Sequence, residues 1–191
     1  MEQGLILVVC TGNVCRSPLV ERVLQAGLDQ RHGPGSVLVR SAGTSGLEGW
    51  PMDERSAALL ADLGGSADGF AARRLTPEMV AAAELVLTAT RDHRARSVRL
   101  HPRALRRTFT VRELADILSR VPEEELPTAA DPAERLRELV RVAGDHRGLH
   151  LPDRPEDHDL VDPFRREDSV YAQLREELLP ALPHLRRGLG L

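Results

Sequence analysis

The stretch at residues 8–18, VVCTGNVCRSP, is the strongest constraint on this chain, and it contains both cysteines and the only asparagine. It follows the apolar run Leu5–Val9 and precedes an amphipathic segment that begins at Leu19. A short aliphatic run is typical of a buried strand, while Ser17 and Pro18 are typical of the N-cap and first residue of a helix. The stretch therefore predicts a strand, a tight loop and a helix, in that order.

The loop between Cys10 and Arg16 ends where the helix begins, and this position favours binding of an anion. Free backbone N–H groups at a helix N-terminus point at one spot and carry the positive end of the helix dipole. The five residues between Cys10 and Arg16 can curl around the oxygens of a phosphoryl group. The planar guanidinium of Arg16 can hold two of these oxygens at once. Because a helix N-terminus or a fixed cation favours the thiolate form of a cysteine, the pattern predicts a thiolate that faces a bound oxyanion.

The residues inside the loop suit this arrangement. Gly12 permits backbone angles that a Cβ atom would resist, and Asn13 tolerates a left-handed conformation and can brace the loop through its amide. The hydroxyl of Ser17 can donate to the sulfur of Cys10. We expect the bound group to contact the following residues: Thr11, Gly12, Asn13, Val14, Cys15, Arg16 and Ser17. The alternative is a structural cysteine in a strand-to-helix turn, which the position of the motif disfavours.

Together with three later segments, the loop resembles the signature of the low-molecular-weight protein tyrosine phosphatases. The later segments are Ser41-Ala42-Gly43-Thr44, Ala72-Arg73-Arg74-Leu75-Thr76 and Asp162-Pro163-Phe164. The loop and the Asp-Pro-aromatic segment are the specific parts of this pattern, and the two middle segments are less specific. The resemblance covers most of residues 5–110 and again roughly residues 160–180.

The resemblance implies a catalytic mechanism. Cys10 attacks phosphorus and forms a cysteinyl-phosphate, while Arg16 and the loop amides stabilise the transition state. Asp162 protonates the leaving oxygen and then takes a proton from the water that hydrolyses the intermediate. Taken alone, the Asp-Pro pair would indicate an ordinary turn. No metal and no cofactor are implied.

Cys15 has two interpretations. In isolation it is a small buried hydrophobic residue. The resemblance implies instead that Cys15 forms a reversible disulfide with an oxidised Cys10 and so protects the nucleophile. Both interpretations stay open from the sequence.

Two positions depart from the pattern of the resembled family. Phe70 stands where family members have a histidine that braces the loop asparagine, which leaves Ser41 as the expected support. Leu47 stands where an aromatic pocket wall is usual, and Trp50, three residues later, is a candidate to replace it. A simple packing role suits Trp50 equally well. Together with Phe164, these two side chains are the expected walls of the substrate pocket.

Apolar runs alternate with helical segments along the chain. Strands are expected at residues 5–9, 37–41, 84–89 and 107–109, and helices at residues 18–30, 53–63, 77–83, 91–98, 111–119 and 132–142. This alternation predicts an α/β three-layer sandwich with a four-stranded parallel β-sheet flanked by helices on both faces. Ligands of such folds bind beyond the carboxyl ends of the strands, where Cys10 falls.

The domain organisation follows from the length of the chain. We expect one domain over residues 1–191, with an insertion at about residues 120–160. This segment carries many acidic residues, arginines and prolines. It is interpreted as a lid, a partner surface or a tolerated surface excursion, and the last is the default.

The composition and the N-terminal sequence indicate which binding partners and which cellular compartment to expect for this chain. The formal net charge is −3, and all 26 basic residues are arginine, so no binding of nucleic acid is expected. The N-terminal apolar run is about five residues long, whereas about twenty are needed to span a bilayer, so no membrane association is expected. Two cysteines and no recognisable secretion signal favour a reducing cytoplasm. The expected partner is a phosphorylated protein or a small aryl phosphate, and the oligomeric state is left open.

Hydrolysis of phosphotyrosine-type phosphomonoesters is the favoured function, and three alternatives remain. A phosphoarginine phosphatase has a similar sequence pattern, but the resemblance implies that this subclass has a threonine at the position that Val14 occupies here. An arsenate reductase uses the same loop, because arsenate mimics phosphate; since residues 16–191 contain no cysteine, it would need an external low-molecular-weight thiol. A non-catalytic phosphoresidue-binding module needs neither a nucleophile nor an acid, so the presence of Cys10, Arg16 and Asp162 disfavours it.

Overall fold

Four parallel strands form the centre of the structure, a computed structural model that describes residues 3–191. The strands are β1 (Gly4–Cys10), β2 (Val37–Gly43), β3 (Leu85–Thr88) and β4 (Thr108–Thr110). Their order in the sheet is β2-β1-β3-β4, and every neighbouring pair is parallel. The strand β1 is central and pairs along its whole length with β2, so that Cys10 lies opposite Gly43.

Eight α-helices lie among the described residues. They are α1 (Arg16–His32), α2 (Glu54–Asp62), α3 (Pro77–Ala82), α4 (Arg91–Leu100), α5 (Val111–Arg120), α6 (Pro132–His146), α7 (Asp168–Leu178) and α8 (Ala181–Leu189). Short 3-10 turns lie at Pro102–Arg107, Glu123–Glu125 and Pro155–His158. Within residues 3–191, none of the helices combines the length and the apolar character that crossing a membrane requires.

Side chains alternate between the two faces of the sheet, and each face is covered by helices. Ile6 and Val8 of β1 join the larger core, to which α1, α2 and α5 to α8 contribute. Leu7 and Val9 point the other way, into a smaller core that includes Val80 of α3. The predicted three-layer sandwich with a four-stranded parallel sheet is therefore confirmed.

The C-terminal helices α7 and α8 are additional to the six helices expected from the sequence. Both are amphipathic in the structure, and Leu174, Leu178 and Leu185 are buried in the larger core. The start of α7 is difficult to recognise from the sequence, because the residues between Phe164 and Asp168 are all charged and lack the apolar spacing of a helix.

The segment at residues 120–160 contributes a helix to the core. Leu136, Leu139 and Ala143 of α6 are buried, and a Cβ atom on Gly4 would lie 3.3 Å from the Cα atom of Ala133. Helix α6 therefore packs beside the amino end of β1, at the opposite end of the strand from Cys10. It is neither a lid over the carboxyl edge of the sheet nor an excursion outside the core.

This packing predicts the cost of removing a buried side chain from α6. Leu136 is 1% exposed, so Leu136→Ala should lower the free energy of unfolding by about 2–5 kcal/mol. The matched control Leu149→Ala removes a side chain that is 63% exposed and should change stability by less than about 0.5 kcal/mol. Urea unfolding followed by circular dichroism measures both values. Equally small losses in the two variants would show that α6 is not part of the core.

Candidate active site

The loop between β1 and α1 opens onto a pocket of about 130 Å³ at the carboxyl edge of the sheet. The pocket is lined by Cys10, Thr11, Gly12, Val14, Cys15, Arg16, Ser45, Leu47, Asp162 and Phe164. A water molecule takes up about 30 Å³ of liquid, so the pocket has room for a tetrahedral oxyanion. Among the lining residues, Ser45 is the one that the sequence did not indicate; it follows the predicted Ser41–Thr44 segment directly.

The sulfur of Cys10 makes two polar contacts within the loop and the start of α1. Its Sγ atom lies 3.0 Å from Oγ of Ser17 and accepts a 3.3 Å hydrogen bond from the backbone N–H of Asn13. Donors directed at the sulfur stabilise its anionic form, which is the nucleophilic one. The side chain is buried on the protein side and reaches solvent only through the pocket.

The position of Ser17 corrects a prediction about the start of α1. The helix begins at Arg16, its N-cap is Cys15, and no side chain caps it, so the expected N-cap role of Ser17 is wrong. The hydroxyl of Ser17 instead contacts Cys10 and accepts a hydrogen bond from Nδ2 of Asn13 at 3.0 Å. Because no side chain of residues 3–191 caps α1, its first N–H groups remain available to an anion in the loop.

Asn13 fixes the shape of the loop. Its backbone is in the left-handed region, with φ of 57°, and its side chain is completely buried. The Nδ2 atom donates to Ser41 at 2.7 Å as well as to Ser17, and Oδ1 accepts a 2.7 Å hydrogen bond from the backbone N–H of Arg73. All of these contacts form although Phe70 replaces the histidine of the resembled pattern.

A buried carboxylate completes this support. Ser41 donates a 2.5 Å hydrogen bond to Oε2 of Glu21, which is 4% exposed. The Nη2 atom of Arg73 lies 3.4 Å from the same oxygen and balances its charge, as a buried carboxylate requires. Sequence reasoning missed Glu21, because a glutamate in an amphipathic helix usually indicates a solvated face.

Arg16 joins the loop to the distant segment that carries Asp162. Its side chain is 4% exposed; Nη2 lies 2.7 Å from Oδ2 of Asp162, and Nη1 donates to the backbone carbonyl of Leu160 at 3.1 Å. Its Nε is buried and makes no hydrogen bond within residues 3–191. Arg16 therefore keeps a donor for an oxyanion while it holds the Asp162 loop in place.

Three contacts from different elements fix the Asp162 loop. The backbone N–H of Leu160 donates to the carbonyl of Ala89 at 2.8 Å, and that of Val161 donates to Glu177 at 2.7 Å. Asp159 pairs with Arg91 at the start of α4 at 3.0 Å. Sequence spacing does not reveal these partners, which lie far from the loop along the chain.

The apolar walls of the pocket are Leu47, Val14 and Phe164. Trp50 does not line the pocket and is 48% exposed, so it does not replace the missing aromatic wall. A local constraint explains this: the backbone of Trp50 pairs with Leu47 and Ala72, which places the residue on the outer side of its turn. The pocket is therefore less aromatic than the resemblance implies.

Cys15 lies beside the pocket as a thiol. Both cysteines are free, and Cys15 is 3% exposed. Burial raises the pKa of the Cys15 thiol to about 12, and the negative charge of the nearby Asp53 acts in the same direction. A thiol with such a pKa is a weak attacker near neutral pH, which disfavours rapid disulfide formation with Cys10.

Metal ligands do not gather in this part of the molecule. In the described range, residues 3–191, no three histidine, cysteine or carboxylate side chains are close enough together to hold a metal ion. In residues 120–160, Nε2 of His146 lies 2.7 Å from Oε2 of Glu125.

Known proteins resemble this chain in sequence and in fold. The family model of the low molecular weight phosphotyrosine protein phosphatases matches residues 5–141. The low molecular weight protein-tyrosine-phosphatase Etp of Escherichia coli strain K12 is 43% identical over 104 residues, which are 54% of this chain and 66% of Etp. The aligned region thus spans just under two thirds of the length of that relative.

Solved structures extend the likeness to nearly the whole chain. The YwlE arginine phosphatase of Geobacillus stearothermophilus superposes with a TM-score of 0.68 and 25% identity, over 98% of this chain and 93% of that protein. The tyrosine phosphatase Wzb of Escherichia coli K30, in complex with sulphate, has a TM-score of 0.67 at 22% identity, over 99% and 100% of the two chains. The latter likeness concerns the fold.

The environments of the two cysteines predict selective alkylation. Near neutral pH, iodoacetamide should label Cys10 at least about tenfold faster than Cys15, because the Cys15 thiol stays protonated until the pH approaches 12. Labelling of Cys15 should rise with pH for as long as circular dichroism reports a folded chain. Inorganic phosphate should protect Cys10. Peptide mass spectrometry measures both sites, and equal labelling at neutral pH would contradict the assignment.

Proposed function

Because the chain belongs to the low molecular weight phosphotyrosine protein phosphatase family, we propose that it hydrolyses phosphotyrosine-type phosphomonoesters through a cysteinyl-phosphate intermediate. One observation carries the proposal: the sulfur of Cys10, the guanidinium of Arg16 and the carboxylate of Asp162 line one pocket. A nucleophile, an anion clamp and a proton donor are what phosphate ester cleavage requires.

In the first step, the phosphoryl group enters the loop and its oxygens bind the loop amides and Arg16. The thiolate of Cys10 forms the S–P bond as the ester P–O bond breaks. Asp162 gives its carboxyl proton to the departing phenolate oxygen, so that a neutral phenol leaves. Fixed hydrogen-bond donors stabilise the charge on the phosphoryl oxygens in the transition state. This stabilisation supplies most of the rate acceleration.

Asp162 must leave Arg16 before it can serve the leaving group. The two side chains are 2.7 Å apart, but Asp162 is 51% exposed, so the ion pair contributes only on the order of 1 kcal/mol. A phosphoryl dianion competes for the same guanidinium edge and displaces the carboxylate toward the mouth of the pocket. Substrate binding thereby frees the exposed carboxylate of Asp162, which takes up a proton from solvent before it protonates the leaving oxygen.

In the second step, water attacks phosphorus and the S–P bond breaks. Asp162, now a carboxylate, takes a proton from this water, and inorganic phosphate leaves together with the restored Cys10 thiolate. Ser17 supports this step, because its hydroxyl lies 3.0 Å from the sulfur and stabilises it as a leaving group.

The walls of the pocket favour an aryl phosphate. Leu47, Val14 and Phe164 present an apolar surface that suits a phenyl ring better than a guanidinium. Phosphoarginine is the second candidate, because the Geobacillus stearothermophilus relative is named an arginine phosphatase. Val14 has the shape of threonine without its hydroxyl and so lacks the polar contact that a phosphoarginine enzyme would place there.

Two further readings have less support. Arsenate reduction would need an external thiol, since residues 16–191 contain no cysteine that could resolve an oxidised Cys10. A binding module would not need a carboxylate 2.7 Å from Arg16.

We also propose a cytoplasmic location, supported by the two free thiols and by the requirement for a reduced Cys10.

Two substitutions test the mechanism. Cys10→Ser should lower hydrolysis of p-nitrophenyl phosphate by at least about a thousandfold, because the hydroxyl is not ionised. Asp162→Ala should lower kcat by about 10²–10⁴. The control Asp153→Ala removes an exposed carboxylate and should leave kcat within about twofold. Acid-quenched mass spectrometry should detect phosphorylated Cys10; substantial activity in Cys10→Ser would reject the mechanism.

Substrate preference is tested by direct comparison. The value of kcat/KM for a phosphotyrosine peptide should exceed that for the matched phosphoarginine peptide by at least about tenfold, and Val14→Thr should narrow the ratio. Arsenate with glutathione should give no arsenite. A reversed peptide preference would assign the phosphoarginine function, and arsenite production would assign the reductase.

A further inference from the structure

A buried histidine contacts the catalytic loop from outside the motif segments. His93 lies in the first turn of α4 and is 5% exposed. Its Nε2 atom is 2.9 Å from the hydroxyl of Thr11, the residue that follows the nucleophile. Its Nδ1 atom is 2.7 Å from the hydroxyl of Thr90, the N-cap residue of the same helix. Both ring nitrogens are therefore engaged by hydroxyl groups.

The hydroxyl of Thr11 also contacts the guanidinium. Nη2 of Arg16 lies 3.4 Å from Oγ1 of Thr11, while the same Nη2 pairs with Asp162. A continuous path of polar contacts thus runs from α4 through His93 and Thr11 to the side chain that clamps the phosphoryl group.

The charge state of His93 suits this contact. Burial, and then the positive charge of Arg16, lower the pKa of His93 to about 4. The ring is therefore neutral near physiological pH, with one donor and one acceptor nitrogen. A threonine hydroxyl can donate or accept, so Thr90 and Thr11 can satisfy either tautomer. A neutral ring also adds no second positive charge beside Arg16.

We propose that His93 is a positioning residue that holds the Thr11 hydroxyl and, through it, the edge of the Arg16 guanidinium that binds the phosphoryl group. Arg16 is useful only if its planar fork faces the oxygens at the correct angle. Leu160 fixes Nη1, but once Asp162 has turned to the leaving group, Thr11 is the one remaining partner of Nη2 among residues 3–191.

The free Thr11 hydroxyl would have no fixed orientation without His93. Thr11 is itself exposed on the pocket side, so packing alone does not lock its side chain. A hydrogen bond from a rigid, buried ring on a helix supplies that constraint, and preorganised donors stabilise a transition state better than mobile ones. This inference rests on the proposed function for its catalytic part only, because anion binding needs no turnover.

A double-mutant cycle tests the proposal. His93→Ala and Thr11→Val should each lower kcat for p-nitrophenyl phosphate by about 10–100-fold and weaken binding of inorganic phosphate. The double variant should be no slower than the slower single variant, because both changes remove one connection. His93→Gln keeps a donor and an acceptor and should recover part of the loss. The exposed His150→Ala is the matched control and should behave like the wild type.

The readouts separate positioning from folding and from the proposed function. Rates are expressed per folded molecule, with the folded fraction taken from circular dichroism, so a merely structural role would leave them unchanged. Additive losses in the double variant, or unchanged phosphate binding in His93→Ala, would overturn the proposal. Calorimetric binding of phosphate gives the same cycle without turnover. An inactive wild type whose phosphate affinity still depends on both residues would therefore reject the proposed function and support the positioning role.

Discussion

The left-handed backbone of Asn13 is the constraint on which the rest of the site depends. An L-residue avoids this conformation unless its surroundings hold it there, and three side-chain hydrogen bonds do so. They tie the loop to α1, to β2 and to the backbone of Arg73. The turn that results brings the Asn13 N–H to the sulfur of Cys10. A cysteine at the end of a buried strand thereby lines a pocket together with Arg16 and Asp162.

Arg16 connects this loop to segments that lie far away in the sequence. Its guanidinium contacts the loop through Thr11, the late segment through Leu160, and the carboxylate of Asp162. Since the Arg16 side chain is nearly fully buried, its hydrogen bond to the carbonyl of Leu160 forms away from competing water, whereas its partners Asp162 and Thr11 also face solvent. The same few atoms therefore organise parts of the fold that are remote in sequence.

The sequence predicts the local features and fails on long-range partners. Apolar runs place all four strands to within about two residues, and the loop motif places Cys10 and Arg16, because these signals are contained in short windows. The support by Glu21, the contact of His93 and the buried role of α6 depend on which surfaces meet in three dimensions. Trp50 is a further example of this limit. It lies three residues after Leu47 in the sequence, but it does not line the pocket.

The anchoring of the late loop explains how this domain accommodates a helix between α5 and Asp162. Residues 159–161 are held by non-covalent contacts to Ala89, just after β3, and to α4 and α7, rather than by the length of chain that leads to them. The span that contains α6 packs at the far end of β1. The length of the connection that contains α6 therefore does not determine where Asp162 lies relative to Arg16.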